Sequence, residues 1–274
     1  MSNALATWID GQRADCVPAD DRGLQYGDGL FETLLLRANT PRFLELHLTR
    51  LALGCERLRL PFKAMDQLRA DIGAAAAEAP VLAILKIIVT RGSAVQRGYT
   101  PGGETARRIM MLFDCPAPNW PPDGIDLHVA SMTMAPNPQL AGIKHLNRLE
   151  NVLAAREARD ANAFDALMTA ADGGIVSGAM SNIFVVSHGV LATPPVDRAG
   201  VAGVMRSVVI RESSALGLPV SERHLSLDDL KTADEAFITN ARIGVVRVRR
   251  VGEHAFPMNT ISRRIAGHVE TLDA

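Results

Sequence analysis

The spacing of apolar and polar residues along the chain predicts a mixture of helices and strands. Over 43–60, Leu44, Leu48 and Leu51 recur at helical spacing on one face, and Pro61 ends the helix. Further helices are predicted at 66–79, at 146–161, where Leu149, Val152 and Leu153 share a face, and at 205–216. Strands are predicted at 6–9, 30–37, 82–90, 108–114, 126–132, 166–170, 183–186 and 235–239. Because helices and strands follow one another without strict alternation, we expect an α+β or mixed α/β fold.

A proline-rich segment divides this pattern into two parts. Four prolines fall within the eight residues of 115–122, and proline neither continues a helix nor donates to a strand ladder. We therefore expect two domains, a smaller N-terminal α/β domain at 1–115 and a larger C-terminal domain at 123–274, joined by a linker at 116–122.

Composition and charge disfavour several classes of protein. The formal net charge is -1 and no basic stripe is evident, which argues against a nucleic-acid partner. No apolar stretch approaches the roughly 20 residues of a membrane helix, and the first ten residues do not resemble a signal peptide. Cys16, Cys55 and Cys115 are widely spaced and odd in number, so we expect reduced thiols in a cytoplasmic protein.

Lysine is scarce in this chain, which narrows the search for a nucleophilic amine. The 29 basic residues include only four lysines, Lys63, Lys86, Lys144 and Lys231. Because arginine stays protonated at ordinary pH, Schiff-base chemistry requires a lysine. Lys63 and Lys231 stand in polar surroundings, and Lys86 lies in the middle of a predicted strand. Lys144 follows a proline-rich loop and precedes a predicted amphipathic helix, although its residue type alone also fits a surface lysine at a helix start.

Six segments resemble, in order, the motifs of one enzyme family. They are 21–33 (DRGLQYGDGLFET), 47–51 (HLTRL), the pair 91–93 and 97–99 (RGS and RGY), 141–156 (AGIKHLNRLENVLAAR), 178–184 (GAMSNIF) and 200–206 (GVAGVMR). Together they resemble the class IV aminotransferase-like enzymes of fold type IV, which use pyridoxal 5'-phosphate (PLP), and within that family the aminodeoxychorismate lyase subgroup. The resemblance covers nearly the whole chain, and it implies the two-domain fold of the D-amino-acid aminotransferases.

This resemblance implies roles for several residues in cofactor binding. Lys144 would form the Schiff base with PLP and then serve as general base and acid. Arg50 would bind the phosphate with its planar guanidinium, and Val204 and Met205 would offer backbone N–H groups at a helix N-terminus. Asn240 would lie near the phosphate. Without the resemblance, a helix-surface arginine is the favoured interpretation of Arg50, and Asn240 is an ordinary loop residue.

Two positions depart from the family pattern. Most members of this fold family carry a glutamate where Ser177 stands, and that carboxylate pairs with the protonated pyridine nitrogen of the cofactor. A serine forms a hydrogen bond there but supplies no charge, so we expect a weaker electron sink, which suits prompt elimination better than transamination. Ala241 lacks the phosphate-binding hydroxyl that some relatives carry at this position, and Thr239 lies two residues before it.

The substrate that the resemblance implies is 4-amino-4-deoxychorismate, cleaved to 4-aminobenzoate and pyruvate in folate biosynthesis. Its two carboxylates require cationic or hydroxyl partners, and the candidates are Thr33, Arg97, Tyr99 and Arg148. Each also has an ordinary interpretation, as a strand threonine, a solvated arginine or a packed tyrosine. The expected partners are this small molecule and a second copy of the chain in a homodimer, with no nucleic acid and no membrane.

Two other functions stay open from the sequence. One is an aminotransferase of the same fold that acts on D-amino or branched-chain amino acids; Ser177 and the segment 97–99 argue against it. The other is a non-catalytic protein that binds PLP or a metabolite; the presence of Lys144 and Arg50 argues against that.

Overall fold

The computed structural model describes residues 4–117, 119–257 and 259–272, and these form two compact units. The first contains the described residues of Met1–Ala117 together with Ile143–Asn147, and the second contains those of Pro118–Gly142 and Arg148–Asp273. The segment that carries Lys144 thus packs with the N-terminal elements, whereas the sequence assigned it to the C-terminal domain. The predicted linker at 116–122 stays a prediction, and Pro118 lies outside the described residues.

A six-stranded sheet forms the centre of the first unit. Its strands are β1 (Ala6–Ile9), β2 (Gln12–Arg13), β3 (Gly29–Arg37), β4 (Thr40–Pro41), β5 (Leu82–Thr90) and β6 (Arg107–Asp114). They pair in the order β2-β1-β6-β5-β3-β4, and every pair is antiparallel. The long central pairing of β3 with β5 places Thr33 directly opposite Lys86.

Three helices accompany this sheet, α1 (Arg22–Tyr26), α2 (Leu44–Arg57) and α3 (Met65–Ala77). Helix α2 packs on β3 through His47, Leu48 and Leu51, and it approaches closely because Gly54 leaves room for the side chain of Leu30. Alternate residues of the central strands are fully buried, among them Leu34, Leu36, Leu85, Ile87 and Leu112. This alternation fixes which face of the sheet each side chain occupies.

A larger sheet forms the centre of the second unit. Its strands are β7 (Ile125–Met134), β8 (Asp165–Ala170), β9 (Ile175–Gly178), β10 (Asn182–Ser187), β11 (Val190–Thr193), β12 (Val220–Glu222), β13 (Glu235–Asn240), β14 (Gly244–Val251) and β15 (His254–Ala255). The order is β12-β11-β10-β13-β14-β7-β8-β9, with β15 paired to β14. Parallel and antiparallel pairs occur together, so the expected mixed α+β class is confirmed.

Four helices belong to this unit, α4 (Leu149–Asp160), α5 (Val204–Ala215), α6 (Leu227–Lys231) and α7 (Thr260–Glu270). The main core consists of strand residues such as Ile183, Val185, Ala236, Ile238 and Val248. No helix within the described ranges has the length and apolar character needed to cross a bilayer.

Helix α4 differs from the sequence prediction in two respects. It begins at Leu149 rather than at residue 146, because the residues before it bond to strand β3 instead. Its buried residues are Ala154 and Ala158, and the predicted apolar face of Leu149, Val152 and Leu153 is exposed. The small alanines let the helix lie close to its sheet, and the large side chains point outward.

Candidate active site

Lys144 lies in an extended segment that runs beside strand β3. The backbone N–H of Phe31 donates to the carbonyl oxygen of Lys144 at 2.9 Å, and that of Leu146 donates to Gly29 at 3.0 Å. His145 forms a bridge with Leu30 in the same ladder. Lys144 therefore lies on a rigid extended backbone, not at a helix start, and the rigidity comes from main-chain bonds that sequence spacing does not reveal.

The amine of Lys144 lies against an aromatic ring. Its Nζ atom is 4.2 Å from the ring centroid of Phe31, within the range of a cation–π contact. Lys86, the other half-buried lysine, places its Nζ 5.6 Å from the same ring. Lys63 and Lys231 are exposed, as expected from their polar surroundings.

Arg50, the predicted phosphate-binding residue, is held by a buried carboxylate. Glu32 is 1% exposed and accepts from Arg50 at two points, Nε at 2.8 Å and Nη2 at 2.5 Å. The Nδ1 atom of His47 lies 2.6 Å from the Oε2 atom of the same carboxylate. His47 and Arg50 are three residues apart on helix α2, so both side chains reach the same face.

The charge states of this cluster follow from burial and from its own charges. Burial raises the pKa of the Glu32 carboxyl, but the charge of Arg50 and the hydrogen bonds from His47 and Arg50 outweigh it and lower the pKa to about 2. Burial lowers the pKa of His47, and the charges of Arg50 and Lys144 act in the same direction against the opposing effect of Glu32. Glu32 is thus ionised and His47 neutral at physiological pH.

The candidate substrate residues Arg97 and Tyr99 lie in an exposed loop of the first unit. Tyr99 is 85% exposed and its ring meets that of Tyr26 edge to face, with centroids 5.4 Å apart. The buried Arg22 anchors the backbone of this loop. Its Nη1 and Nη2 atoms donate to the carbonyl oxygens of Gly98 and Tyr99 at 3.0 and 2.8 Å. The backbone is therefore anchored while the two side chains stay accessible.

Ser177 lies on strand β9 of the second unit, and its side chain is buried. Its hydroxyl donates to the carbonyl oxygen of the neighbouring Gly178 at 2.9 Å. Since the hydroxyl proton is used in this bond, the oxygen retains acceptor capacity toward a protonated ring nitrogen. The role of Ser177 as a neutral partner of the ring nitrogen stays a prediction.

Val204 and Met205 are the first two residues of helix α5, and their role in binding the cofactor phosphate stays a prediction. Its N-cap is Gly203, and no side chain caps the helix. A Cβ atom at Gly203 would lie 1.9 Å from the Oδ1 atom of Asn182, so only glycine fits this close approach. A first turn without a side-chain cap suits an anion, because its N–H groups and dipole both point toward the ligand.

A buried hydroxyl lies on the neighbouring strand. Thr239 is directly opposite Asn182 in the pairing of β10 with β13, and its Oγ1 atom is buried without a hydrogen-bond partner among the described residues. Such an orphaned group is rare in a folded protein and fits a ligand oxygen. In the second unit, this hydroxyl and the uncapped first turn of α5 have the chemistry that a phosphate group requires. In the first unit, the amine of Lys144 suits an aldehyde and the cation of Arg50 suits a phosphate.

Asn240 has a different set of contacts from those that the resemblance implies. Its Nδ2 atom donates to the carbonyl oxygen of Met180 at 3.1 Å, and its Oδ1 atom accepts from the backbone of Arg242 and Ile243, both at 2.9 Å. The amide thus stabilises the turn that follows strand β13. A role beside the phosphate stays a prediction.

The two remaining candidates are positioned by secondary structure. Thr33 is half-buried on strand β3, two residues from Phe31, and therefore on the same face of the sheet. Arg148 is the N-cap of helix α4 in the second unit. Both assignments to the substrate stay predictions.

Sequence reasoning gave Glu32 and Phe31 no individual role. The sequence did contain a signal for Glu32. Positions 30, 32, 34 and 36 share one face of the strand, and the three besides Glu32 are leucines. A glutamate in such a set is buried and needs a cation, and His47 and Arg50 share one helix face.

Known proteins are similar to most of this chain. The family model described as "Amino-transferase class IV" matches residues 29–251. The chain is 31% identical over 271 residues to an aminodeoxychorismate lyase of Vibrio harveyi, covering 96% of this chain and 99% of that protein. It is 33% identical over 231 residues to a putative branched-chain-amino-acid aminotransferase of Methanocaldococcus jannaschii, covering 83% and 80%. The crystal structure of 4-amino-4-deoxychorismate lyase from Pseudomonas aeruginosa superposes with a TM-score of 0.91 at 41% identity, covering 98% of this chain and all of that one.

Proposed function

Because the chain belongs to the amino-transferase class IV family, we propose that it is a PLP-dependent lyase that converts 4-amino-4-deoxychorismate to 4-aminobenzoate and pyruvate. The observation that carries this proposal is the similarity, over nearly the full length of both chains, to lyases of that name. The position of Lys144 supports it, because a half-buried amine on a rigid extended segment is suited to covalent chemistry.

The residues of this chain fit the cofactor through separate contacts. Lys144 would bind its aldehyde carbon, Arg50 would pair with its phosphate, and the first-turn N–H groups of Val204 and Met205 would donate to the phosphate. Ser177 would accept a hydrogen bond from the ring nitrogen. When bound, PLP supplies an electron sink for the charge that develops at the substrate carbon bearing the amine.

Lys144 carries the proton through the reaction. With PLP and substrate bound, the amine of Lys144 would remove the proton from the substrate carbon that bears the nitrogen. Protonated Lys144 then delivers this proton to the departing enolpyruvyl group as its C–O bond breaks, and pyruvate leaves. The ring becomes aromatic, which favours the products. The proposed partners of the two substrate carboxylates are Arg97, Tyr99, Thr33 and Arg148.

Ser177 favours elimination over transamination in this proposal. A neutral hydroxyl stabilises a protonated ring nitrogen less than a carboxylate does, so charge on the cofactor is stabilised less. Elimination of the enolpyruvyl group would need less of this stabilisation than transamination does.

We also propose a homodimer in the cytoplasm. Helix α4 exposes Leu149, Val152 and Leu153 together, which is the kind of apolar face that a second copy covers. The free thiols of Cys16, Cys55 and Cys115 fit a reducing compartment.

The decisive experiment is product analysis after incubating the PLP-loaded protein with 4-amino-4-deoxychorismate. We expect equal amounts of 4-aminobenzoate and pyruvate, loss of both in Lys144→Ala, and unchanged rates in Lys63→Ala, which removes an exposed lysine. Borohydride reduction followed by peptide mapping should label Lys144 and no other lysine. A protein that never takes up PLP would contradict the proposal.

The second candidate is an aminotransferase of the same fold, which the similarity to the M. jannaschii protein favours. It predicts that branched-chain or D-amino acids convert the bound cofactor to its amine form, with no 4-aminobenzoate produced. The same incubation, repeated with amino acids in place of 4-amino-4-deoxychorismate, separates the two activities.

A further inference from the structure

The buried carboxylate of Glu32 controls the geometry of Arg50. Its two oxygens accept from Nε and Nη2, so one edge of the guanidinium plane is fixed at two points. The opposite edge, which carries Nη1, is then fixed in direction as well because the group is planar and rigid. A single hydrogen bond would leave the guanidinium plane able to rotate, whereas a bidentate pair of hydrogen bonds prevents that rotation.

His47 fixes the carboxylate in turn. Its ring is 1% exposed and its Nδ1 atom lies 2.6 Å from Glu32, so a neutral imidazole with its proton on Nδ1 donates to the carboxylate. The charges of Glu32 and Arg50 then cancel. An anion that binds Arg50 meets a neutral pair, so directed N–H bonds contribute more to its affinity than net charge does.

We propose that Glu32 and His47 are positioning residues that hold the guanidinium of Arg50 in the orientation that receives the cofactor phosphate. This inference rests on the proposed function, since it assumes that Arg50 binds the phosphate of PLP. Two opposite effects of Glu32 have to be weighed. Its negative charge repels a phosphate, whereas its two hydrogen bonds orient the arginine. We infer that orientation dominates, because the two hydrogen bonds join a carboxylate that is 1% exposed to an arginine side chain that is only 12% exposed.

The test uses Glu32→Asp, which keeps the charge and withdraws the carboxylate by one methylene. Equilibrium binding of PLP and of pyridoxal, which lacks the phosphate, is measured by absorbance on the full chain. We expect the affinity for PLP to fall about tenfold, the scale on which supporting contacts act, with the affinity for pyridoxal unchanged. The matched control is Glu45→Asp. Glu45 lies on the same helix as Arg50 and forms an exposed ion pair with Arg69, so this variant should bind both ligands as the wild type does.

Glu32→Gln and an Arg50→Lys background complete the design. If charge dominated, Glu32→Gln would bind PLP more tightly than the wild type, and that result would overturn the proposal. In an Arg50→Lys background, Glu32→Asp should no longer change the affinity for PLP, because a lysine has no planar fork to orient. An equal loss in both backgrounds would show that Glu32 acts on the fold and not through Arg50.

His47→Asn provides a second, independent variant, since asparagine can still donate to the carboxylate. The ³¹P chemical shift of bound PLP, which reports the surroundings of the phosphate, should move in Glu32→Asp and less in His47→Asn. Failure of the wild type to bind PLP would sink the proposed function itself. If the wild type prefers PLP to pyridoxal and Glu32→Asp retains this preference in full, only the proposed role of Glu32 is contradicted.

Discussion

Single residues divide into those that local sequence identifies and those that only tertiary contacts identify. Lys144 stands out in the sequence because lysine is scarce and because it lies in a recognisable motif, and its role as the Schiff-base lysine stays a prediction. The pairing of Glu32 with Arg50 joins residues 18 positions apart on different elements, and no local pattern specifies it. The orphaned hydroxyl of Thr239 is likewise visible only once β10 and β13 are paired.

The ionisation of Glu32 predicts how stability depends on acid. Its pKa is lowered from 4.5 to about 2 in the folded protein. A carboxyl with a lowered pKa stabilises the fold above its unfolded pKa, and this contribution is lost as the pH falls through the folded value. We expect the free energy of unfolding of the wild type to fall between pH 4.5 and pH 2, and that of Glu32→Gln to fall less steeply. Urea denaturation at several pH values measures both slopes.

The control for this acid effect is Glu45→Gln. The carboxyl of Glu45 also has a lowered pKa, because Arg69 donates to it, but it is fully exposed. Solvent screens such a pair, so its slope should match that of the wild type. Glu32→Gln will also start from lower stability, by about 3 kcal/mol, since it leaves a largely buried arginine without its anion. Parallel curves for Glu32→Gln and the wild type would contradict the prediction.

At the scale of elements, the boundaries of most helices and strands follow from apolar spacing. The helix predicted at 43–60 is observed as Leu44–Arg57, and the strand predicted at 82–90 is observed as Leu82–Thr90. The start of α4 was wrong by three residues, because 143–147 form backbone bonds to a strand far away in sequence. The prediction of which face of α4 is buried was also wrong. The alanines at 154 and 158 permit close packing, which the spacing of the large apolar residues does not reveal.

The loop that contains Arg97 and Tyr99 leads to a prediction about substrate affinity. Arg22 fixes its backbone through two carbonyl oxygens, and Asp28 in turn accepts from the Nε atom of Arg22 at 3.0 Å. Arg22→Met should release the loop and raise the KM for the proposed substrate about tenfold, because misplaced positioning groups cost binding and rate. The affinity for PLP should stay the same.

Steady-state kinetics and PLP titration on Arg22→Met test this role. The control is Arg13→Met, which removes an exposed arginine that stacks on Trp8 and bonds to Glu78. An unchanged KM in Arg22→Met would show that the loop does not act on the substrate. A loss of PLP affinity would show that the change spreads beyond the loop.

For the whole molecule, composition and element order were sufficient to predict the mixed fold class, and the comparisons confirm the family. The division into compact units could not be predicted in full. Proline content predicted a linker at 116–122, but the return of 143–147 to the first unit depends on a pairing across more than a hundred residues.

The exposed apolar face of α4 predicts the state of association. Val152→Glu combined with Leu153→Glu places two charges where the side chains are 60% and 45% exposed. If a second copy covers this face, the molar mass from light scattering should fall from that of a dimer to that of a monomer, because burying unpaired charges in an interface is costly. Val81→Glu, at a residue 76% exposed away from this helix, should leave the mass unchanged. A monomeric wild type, or a dimer that survives the double substitution, would count against the homodimer.

The return of 143–147 to the first unit also affects how the chain folds during synthesis. The strands and helices of Met1–Ala117 are complete long before the ribosome reaches Lys144, so the first unit must wait for its last extended segment. Contacts of such long sequence separation form late, since closing the loop costs entropy before the pairing compensates for it. The nascent chain should therefore pass through a stage in which its N-terminal sheet is formed but lacks the reactive amine. The lysine joins that sheet only when the chain has been extended beyond Asn147.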